Sequence, residues 1–287
     1  MNKLFSFILF PIVAISCVSQ KPQHTYYSQF LRTDSLQVAE LWQPEGEKLK
    51  IAHHGPAVEN QFMALRIYFD ARAAIDVYSK SGLIDNELGQ WKWYPTPEQQ
   101  ARDGAGCDEY YVGKTVGLGG IQLWDGEKTI PLETTAGRRS KVGKTDKGAF
   151  MEMISYGVPY LGDTVDISLR VDVADDSRWA TVTVKELSGE PVRFVTGVNY
   201  HPGSEILRQE GLAAVWGKHP ANISAHPVPI GGAIRYNPDD FPTLEDTGDA
   251  LRLISNPLPE FCTQIISASV KEAERNTAER FFAFLRK

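Results

Sequence analysis

The sequence predicts an all-β fold closed by a short C-terminal helix, and three observations support this prediction. Apolar and polar residues alternate along residues 64–70 and 163–173, which is the pattern of half-buried strands. The dipeptide Asp125-Gly126 indicates a hairpin turn between two short apolar runs. Helical spacing of apolar residues is confined to residues 276–287. We therefore expect two large sheets that pack face to face.

The expected elements follow in chain order. An entry strand is predicted within residues 35–42, and residues 49–51 then lead into a hairpin formed by residues 64–70 and 75–80. Later strands are predicted at residues 151–159, 163–173, 179–185, 192–201, 251–256 and 263–270. Thr277 is the expected N-cap of the helix, and Phe281, Phe282 and Leu285 share its apolar face.

Length and composition fit one β-rich domain over residues 26–287. The chain has 287 residues, of which 42% are hydrophobic, so it can bury a large core. Its net charge is −6 and it lacks a basic cluster, whereas a nucleic-acid-binding protein needs a cationic surface for the phosphates. Nucleic acid is therefore excluded as a partner.

Residues 1–25 are predicted to be a lipoprotein signal peptide and tether. Lys3 precedes an apolar stretch at residues 4–15, and Ala14-Ile15-Ser16-Cys17 resembles a bacterial lipobox. Cys17 would then carry the lipid that anchors the chain to a membrane of the cell envelope, facing the periplasm. Plain secretion with an unmodified Cys17 is the alternative. No other segment is apolar enough to cross a bilayer.

Neither a metal nor a cofactor is expected. The six histidines form no His-x-x-x-His or His-x-His pair, and the cysteines form no Cys-x-x-Cys motif. Cys107 and Cys262 would meet an oxidising environment after export, but their spacing leaves a disulfide between them undecided.

The central hairpin provides the main candidate site. Alternation turns the polar residues of both strands to one face, close to the loop that precedes them. A solvated sheet surface is the alternative. Planar hydrogen-bond donors, acceptors and aromatic rings are more typical of a sugar-binding site than of a solvated strand surface. Arg72 adds a positive charge that an acidic sugar would need. These candidates are His53, His54, Glu59, Asn60, Arg66, Tyr68, Asp70, Asp76, Tyr78 and Lys80.

Three further segments supply candidates. The glycines of residues 108–128 precede a strand rather than a helix, so they predict close backbone packing instead of a phosphate loop, next to Tyr110, Tyr111 and Lys114. His201 follows a strand at a turn, where site residues are common. The aromatic residues 91–94 are expected either to stack on sugar rings or to pack on the core.

Four segments carry a resemblance to a known family: HHGPAVEN, ALRIYFDARAAIDVYSK, YYVGKTVGLGGIQLWDGEK and FVTGVNYHPG. They resemble exported Bacteroidetes proteins, formerly of unknown function, whose genes lie among polysaccharide-degradation genes. The resemblance implies a galactose-mutarotase-like β-supersandwich. For one branch it implies an oligosaccharide dehydratase in the breakdown of ulvan, a sulfated polysaccharide of rhamnose and uronic acids. Ser79 departs from the glycine of the family pattern, and His53 doubles its single histidine.

The reaction implied by this resemblance removes water from a uronic acid at the non-reducing end and leaves a 4,5-unsaturated sugar. Arg66 is expected to hold the uronate carboxylate, because a planar guanidinium matches it. His54 or Tyr68 would be the base, and Tyr78 or His201 the acid. The expected substrate-binding residues are His53, Glu59, Asn60, Asp70, Asp76, Lys80, Tyr110 and Lys114.

Three other functions remain open from the sequence. A glycoside hydrolase would use paired carboxylates such as Glu59 with Asp70 or Asp76. A sugar-binding lipoprotein would bind without catalysis, and an epimerase-type use of the fold would interconvert anomers.

Overall fold

β-Strands dominate the computed structural model, which describes residues 24–80, 86–90, 95–103, 106–220 and 224–287. In chain order the strands in these ranges are β1 (Tyr26–Ser28), β2 (Glu40–Pro44), β3 (Ala57–Glu59), β4 (Ala64–Ile67), β5 (Ile75–Tyr78), β6 (Gln122–Trp124), β7 (Thr129–Ile130), β8 (Gly137–Lys144), β9 (Gly148–Tyr160), β10 (Asp163–Ala174), β11 (Ala180–Glu186), β12 (Val192–Asn199), β13 (Glu205–Gln209), β14 (Leu212–Gly217), β15 (Ile230–Arg235), β16 (Thr243–Asp246), β17 (Ala250–Leu258) and β18 (Glu260–Ser269). The helices there are α1 (Glu87–Gln90), α2 (Pro97–Asp103) and α3 (Ala278–Leu285). The predicted all-β sandwich with a short C-terminal helix is confirmed.

The strands form three antiparallel sheets. The large sheet has the order β13-β14-β15-β18-β11-β10-β9-β8-β2, the hairpin sheet β1-β3-β4-β5, and the third sheet β16-β17-β12-β6-β7. The hairpin sheet packs on β8 and β9, whereas β12 of the third sheet packs on β14 and β15. All three sheets contribute to one apolar core, so the two smaller sheets together form the second layer of the sandwich.

The C-terminal helix covers the other face of the large sheet. Along β14, Ala213 and Val215 face the main core, whereas Ala214 and Trp216 pack with α3, as the two-residue period of a strand requires. The hydroxyl of Thr277 accepts a hydrogen bond from the backbone N–H of Arg280, as expected of an N-cap. Phe281, Phe282 and Leu285 are buried. The predicted helix and its cap are therefore confirmed.

Most predicted strands are found with shifted ends. Residues 163–173 lie in β10, where Ile167, Leu169 and Val171 are buried as predicted. Ser168, a polar position of this alternation, is buried as well, and its hydroxyl donates to Glu152 of β9. The turn after β6 also follows the prediction, since the Asp125 carboxylate accepts the backbone N–H groups of the two residues that follow Gly126.

The central hairpin forms as predicted, but its polar face is not open. β4 and β5 pair with Arg66 opposite Asp76. Arg66 is 1% exposed and Asp76 is fully buried, because residues 106–118 run along the other edge of β5 and bring Asp108 onto Arg66. The alternative of a solvated sheet surface is therefore wrong for Arg66 and Asp76. Gly120 also fits the predicted close packing, since a Cβ there would meet the carbonyl oxygens of Val116 and Ala73.

The predicted signal peptide, with Cys17, lies outside the described residues, as do residues 91–94. Within the described ranges, no helix is both long enough and apolar enough to span a bilayer. Cys107 and Cys262 are both free thiols, the first buried and the second exposed.

Candidate functional site

A pocket of about 330 Å³ lies at the end of the β4–β5 hairpin. The turn before β3, the hairpin and the segment that follows Asp108 all contribute to its wall. The lining residues are His54, Arg66, Tyr68, Arg72, Asp108, Tyr111, Val112 and Gly113. Its volume is in the range of small-molecule sites, and it contains imidazole, phenol, guanidinium and carboxyl groups together.

The turn that presents His54 has an unusual backbone. His53 and His54 have φ angles of 55° and 64°, a left-handed conformation that side chains other than glycine rarely adopt. Gly55 follows because a Cβ there would lie 1.7 Å from the carbonyl oxygen of Ile67. Arg66 Nη1 donates to the His53 carbonyl at 3.0 Å and so holds the turn. The turn is therefore shaped by the hairpin beside it.

Of the two histidines, His54 is the one in the pocket. Its ring centroid lies 6.2 Å from that of Tyr68, whereas His53 packs edge-on against Phe30. Burial, together with the charge of Arg66, lowers the pKa of His54 below its usual value. His54 is therefore a neutral imidazole at neutral pH, which is the form that accepts a proton.

Arg66 is the centre of a buried network behind the pocket. Its Nη1 donates to Tyr78 at 2.5 Å, and its Nη2 donates to Tyr68 at 2.8 Å. Asp76 and Asp108 both accept from Nη2, Asp108 at 3.1 Å. Burial raises the pKa of Asp76 to about 8, with a further contribution from Asp108. Burial therefore favours the protonated form of Asp76 at neutral pH.

Tyr68 lines the pocket beside His54. Burial, and then the negative charge of Asp76, raises the pKa of Tyr68 above its ordinary value. The phenol therefore keeps its proton at neutral pH, and its hydroxyl accepts a hydrogen bond from Arg66 Nη2. The guanidinium of Arg72 stacks on the outer face of this ring, 3.9 Å from the centroid, and its Nε and Nη2 donate to Asp70.

Three expected substrate-binding residues lie in the interior instead. Lys80 Nζ donates to Glu59 at 2.5 Å and to the carbonyl of Asn60 at 2.7 Å. The Asn60 amide donates in turn to the carbonyls of Ala174, the last residue of β10, and of Ser177, which follows the strand. All three side chains are buried, so this network joins the hairpin sheet to the large sheet and does not reach the pocket.

The other candidates lie behind the pocket or away from it. Tyr78 is buried beneath Arg66, and the buried Tyr110 contacts the carbonyl of Asn199. His201 stacks on Tyr111, which lines the pocket, and its Nε2 lies 2.9 Å from the Tyr111 carbonyl. Lys114 lines a separate cavity of about 180 Å³. His54, Arg66 and Tyr68 are thus the predicted catalytic residues that meet in the pocket.

A family model described as "Domain of unknown function (DUF4861)" matches residues 12–287. The chain belongs to the DUF4861 family. No curated protein sequence matches this DUF4861 protein.

Solved structures similar to this DUF4861 protein include three carbohydrate-active enzymes. The 4-α-glucanotransferase of Thermococcus litoralis has 11% identity and a TM-score of 0.35 over 79% of this chain and 41% of its own. The α-N-acetylgalactosaminidase of Bifidobacterium bifidum, in complex with GalNAc, has 12% identity and a TM-score of 0.33 over 78% and 37%. A polysaccharide lyase has 12% identity and a TM-score of 0.24 over 87% and 35%. The chain thus spans about two fifths of the length of these proteins.

Asp108 and His219 of this DUF4861 protein were not predicted from the sequence, and Arg72 was predicted only as a source of charge. Asp108 lies in a segment without alternation, so no pattern assigns its side chain to a face. His219 is buried between Tyr110 and His201, and burial lowers its pKa to about 3. Within the described ranges, no group of three or more His, Cys, Asp or Glu residues could hold a metal ion.

Proposed function

We propose that this pocket is the active site of an oligosaccharide dehydratase. Its substrate would be an ulvan-type oligosaccharide with a uronic acid at the non-reducing end, and its product a 4,5-unsaturated sugar. One observation supports this most: a neutral imidazole, His54, and a protonated phenol, Tyr68, line the same pocket of sugar size, with their ring centroids 6.2 Å apart. An elimination needs such a base and such an acid at the same time.

In the proposed reaction, His54 takes the proton from C5, which is acidic because the carboxylate is attached there. The electron pair of that C–H bond forms the C4=C5 double bond, and the C4–O bond breaks. Tyr68 gives its proton to the departing hydroxyl, which leaves as water. The resulting phenolate is stabilised by Arg66 Nη2, which lies 2.8 Å from the oxygen, and it recovers its proton from the His54 imidazolium through solvent.

The direct test is the mass of the product. The protein would be incubated with uronic-acid-terminated ulvan oligosaccharides, and the expected result is the loss of one water molecule per chain with a new conjugated absorbance. His54→Gln and Tyr68→Phe should each abolish most of this change. A substrate of unchanged mass, or cleavage into smaller sugars, would contradict the proposal.

The same test separates the other functions. Hydrolysis would give smaller saturated sugars, and binding without any product would indicate a sugar-binding protein. The hydrolase hypothesis gains no support from Glu59, whose carboxylate contacts Lys80 in the interior. Of the two partners considered for it, Asp70 contacts Arg72 at the hairpin turn and Asp76 is buried against Arg66.

Cys17 carries the lipid anchor in this proposal, which keeps the enzyme at the cell envelope. The supporting observation is the lipobox-like Ala14-Ile15-Ser16-Cys17 that follows an apolar stretch. Cys17→Ser should move the protein from the membrane fraction to the soluble fraction of fractionated cells. If the variant stays in the membrane fraction, the anchor is wrong.

A further inference from the structure

The pocket contains two arginines in very different settings. The side chain of Arg66 is 1% exposed and its donors are directed to Tyr68, Tyr78, two carboxyl groups and a backbone carbonyl. The side chain of Arg72 is 37% exposed. A carboxylate that bound Arg66 would have to displace buried partners and leave a charge uncompensated, which is costly. Arg72 can meet an anion without that loss.

Arg72 is also held ready for an anion. Its Nε lies 3.0 Å and its Nη2 2.6 Å from Asp70 Oδ2, and Nε lies 3.1 Å from Oδ1, so one edge of the guanidinium is occupied. Nη1 makes no hydrogen bond to the residues that the structure describes. The ring of Tyr68 supports the guanidinium from one side and fixes its plane. Little side-chain entropy is then lost when the remaining donors bind a ligand.

We infer that Arg72 binds the carboxylate of the acidic sugar and makes the pocket prefer acidic over neutral ligands. The class of ligand rests on the proposed function. Arg66 then has a different role, because it orients Tyr68 and the turn of His54 and does not touch the substrate carboxylate. Asp70 is a positioning residue, which keeps the guanidinium of Arg72 at the rim of the pocket.

The chain contains a matched control for Arg72. Arg170 forms the same kind of pair with Asp172, through Nε at 2.8 Å and Nη2 at 2.7 Å, and its guanidinium lies 3.8 Å from the ring centroid of Phe150. Its side chain is 32% exposed, close to the value for Arg72. Arg170 lies on β10 of the large sheet and is not part of the pocket lining.

The experiment compares two ligands at equilibrium. One is a uronic-acid-terminated ulvan oligosaccharide, and the other is the same molecule with its terminal carboxylate as a methyl ester. Calorimetry would measure both dissociation constants in a His54→Gln background, so that neither ligand is consumed. We expect about 10- to 100-fold tighter binding of the acid, as a charge-assisted hydrogen bond gives. Adding Arg72→Gln should remove this preference, and adding Arg170→Gln should keep it.

Two further variants guard against misfolding. Arg72→Lys keeps the charge but loses the fork, so it should keep only part of the preference, and Asp70→Asn, which leaves one acceptor for the guanidinium, should also keep only part of it. The inference is overturned if the parent protein shows no preference, or if both Arg72 variants retain the full preference. The dehydration assay is separate: if the acid is preferred but wild type releases no water, the Arg72 assignment stands and the proposed reaction fails.

Discussion

Two arginine–aspartate ion pairs have nearly the same local geometry in different parts of the fold: Arg72 with Asp70, and Arg170 with Asp172. Each arginine forms a two-pronged ion pair with an aspartate two residues away, and each stacks on an aromatic ring at 3.9 or 3.8 Å. Arg72 lies between two strands at the end of a hairpin, whereas Arg170 lies in the middle of β10. Arg72 itself lines the pocket at the hairpin end, together with His54 and Tyr68, whereas Arg170 does not line the separate cavity of about 440 Å³ that its partner Asp172 borders on the large sheet. The comparison shows that local sequence builds the ion pair, whereas the fold decides whether the arginine lines the pocket.

The largest effect on stability is expected at Arg66, which is buried, unlike Arg72 and Arg170. Arg66→Met would leave Asp76 and Asp108 buried without their cation, and it would release the His53 carbonyl. Breaking a buried pair in this way costs about 3–5 kcal/mol of unfolding free energy. Urea denaturation would measure it. A loss below about 1 kcal/mol would mean that Arg66 behaves like a surface arginine, and the contrast would fail.

A second prediction tests His54 as the general base of the pocket. His54→Gln should lower turnover by about 100- to 10,000-fold, because a general base is lost, with little change in the melting temperature. Wild-type kcat/KM should fall as the pH drops through the pKa of His54, which burial and Arg66 lower below 6.5. Steady-state kinetics from about pH 4.5 to 8 would show this. An unchanged rate in the variant would remove His54 from the mechanism.

The pH dependence of stability gives a third prediction. Burial, and then Asp108, raises the pKa of Asp76 to about 8 from an ordinary value of 3.8, so the folded state holds this proton more tightly than the unfolded chain. This contribution to stability is present in full below pH 3.8 and is lost as the pH rises through 8. The charged and phenolic groups facing Asp76 are Arg66, Asp108, Tyr68 and Tyr110.

Asp76→Asn removes this titration, so its melting temperature should fall less than that of wild type between about pH 5 and 8.5. Thermal melts of both proteins across that range would measure the difference. Parallel curves would mean that Asp76 carries no raised pKa in the folded protein.

The smallest expected effect tests whether the two pairs are equivalent in stability. Arg72→Gln and Arg170→Gln should each change the free energy of unfolding by at most about 1 kcal/mol, because half-exposed ion pairs contribute little. Urea denaturation of the two variants side by side would show similar values. If Arg72→Gln were much more destabilising, that arginine would be structural, and its effect on binding would need another explanation.

The hairpin illustrates how far the sequence can be followed. Alternation along residues 64–70 and 75–80 predicted two strands, and their pairing with Arg66 opposite Asp76 is what the structure contains. Alternation says which side chains share a face, but it does not say what covers that face. Residues 106–118, a later segment of the chain without a strand pattern, run along the edge of β5 and bring Asp108 onto this face. On the face that was predicted to be the site, Arg66 and Asp76 therefore belong to a buried network.

The predicted site residues fall into two groups, those that line the pocket and those that lie in the interior. His54 and Tyr68 were predicted from their position in the hairpin and the loop before it, and both line the pocket. Glu59, Asn60 and Lys80 were predicted with them, but they lie inside, where Lys80 bonds to the other two. Residue type alone could not separate these groups, because both are rich in donors and acceptors. No sequence pattern assigned Asp108 to the site, and only the folded structure places its carboxylate against Arg66.

The sequence by itself determined the strands, the capped helix and the membership of this chain in its family, since periodicity, turn residues and a capping threonine act over a few residues. Tertiary structure alone decided which polar side chains are buried, which histidine faces the pocket and which arginine an anion can reach. Those properties depend on groups far apart in the chain, whose burial and charge are defined only after the sheets have packed.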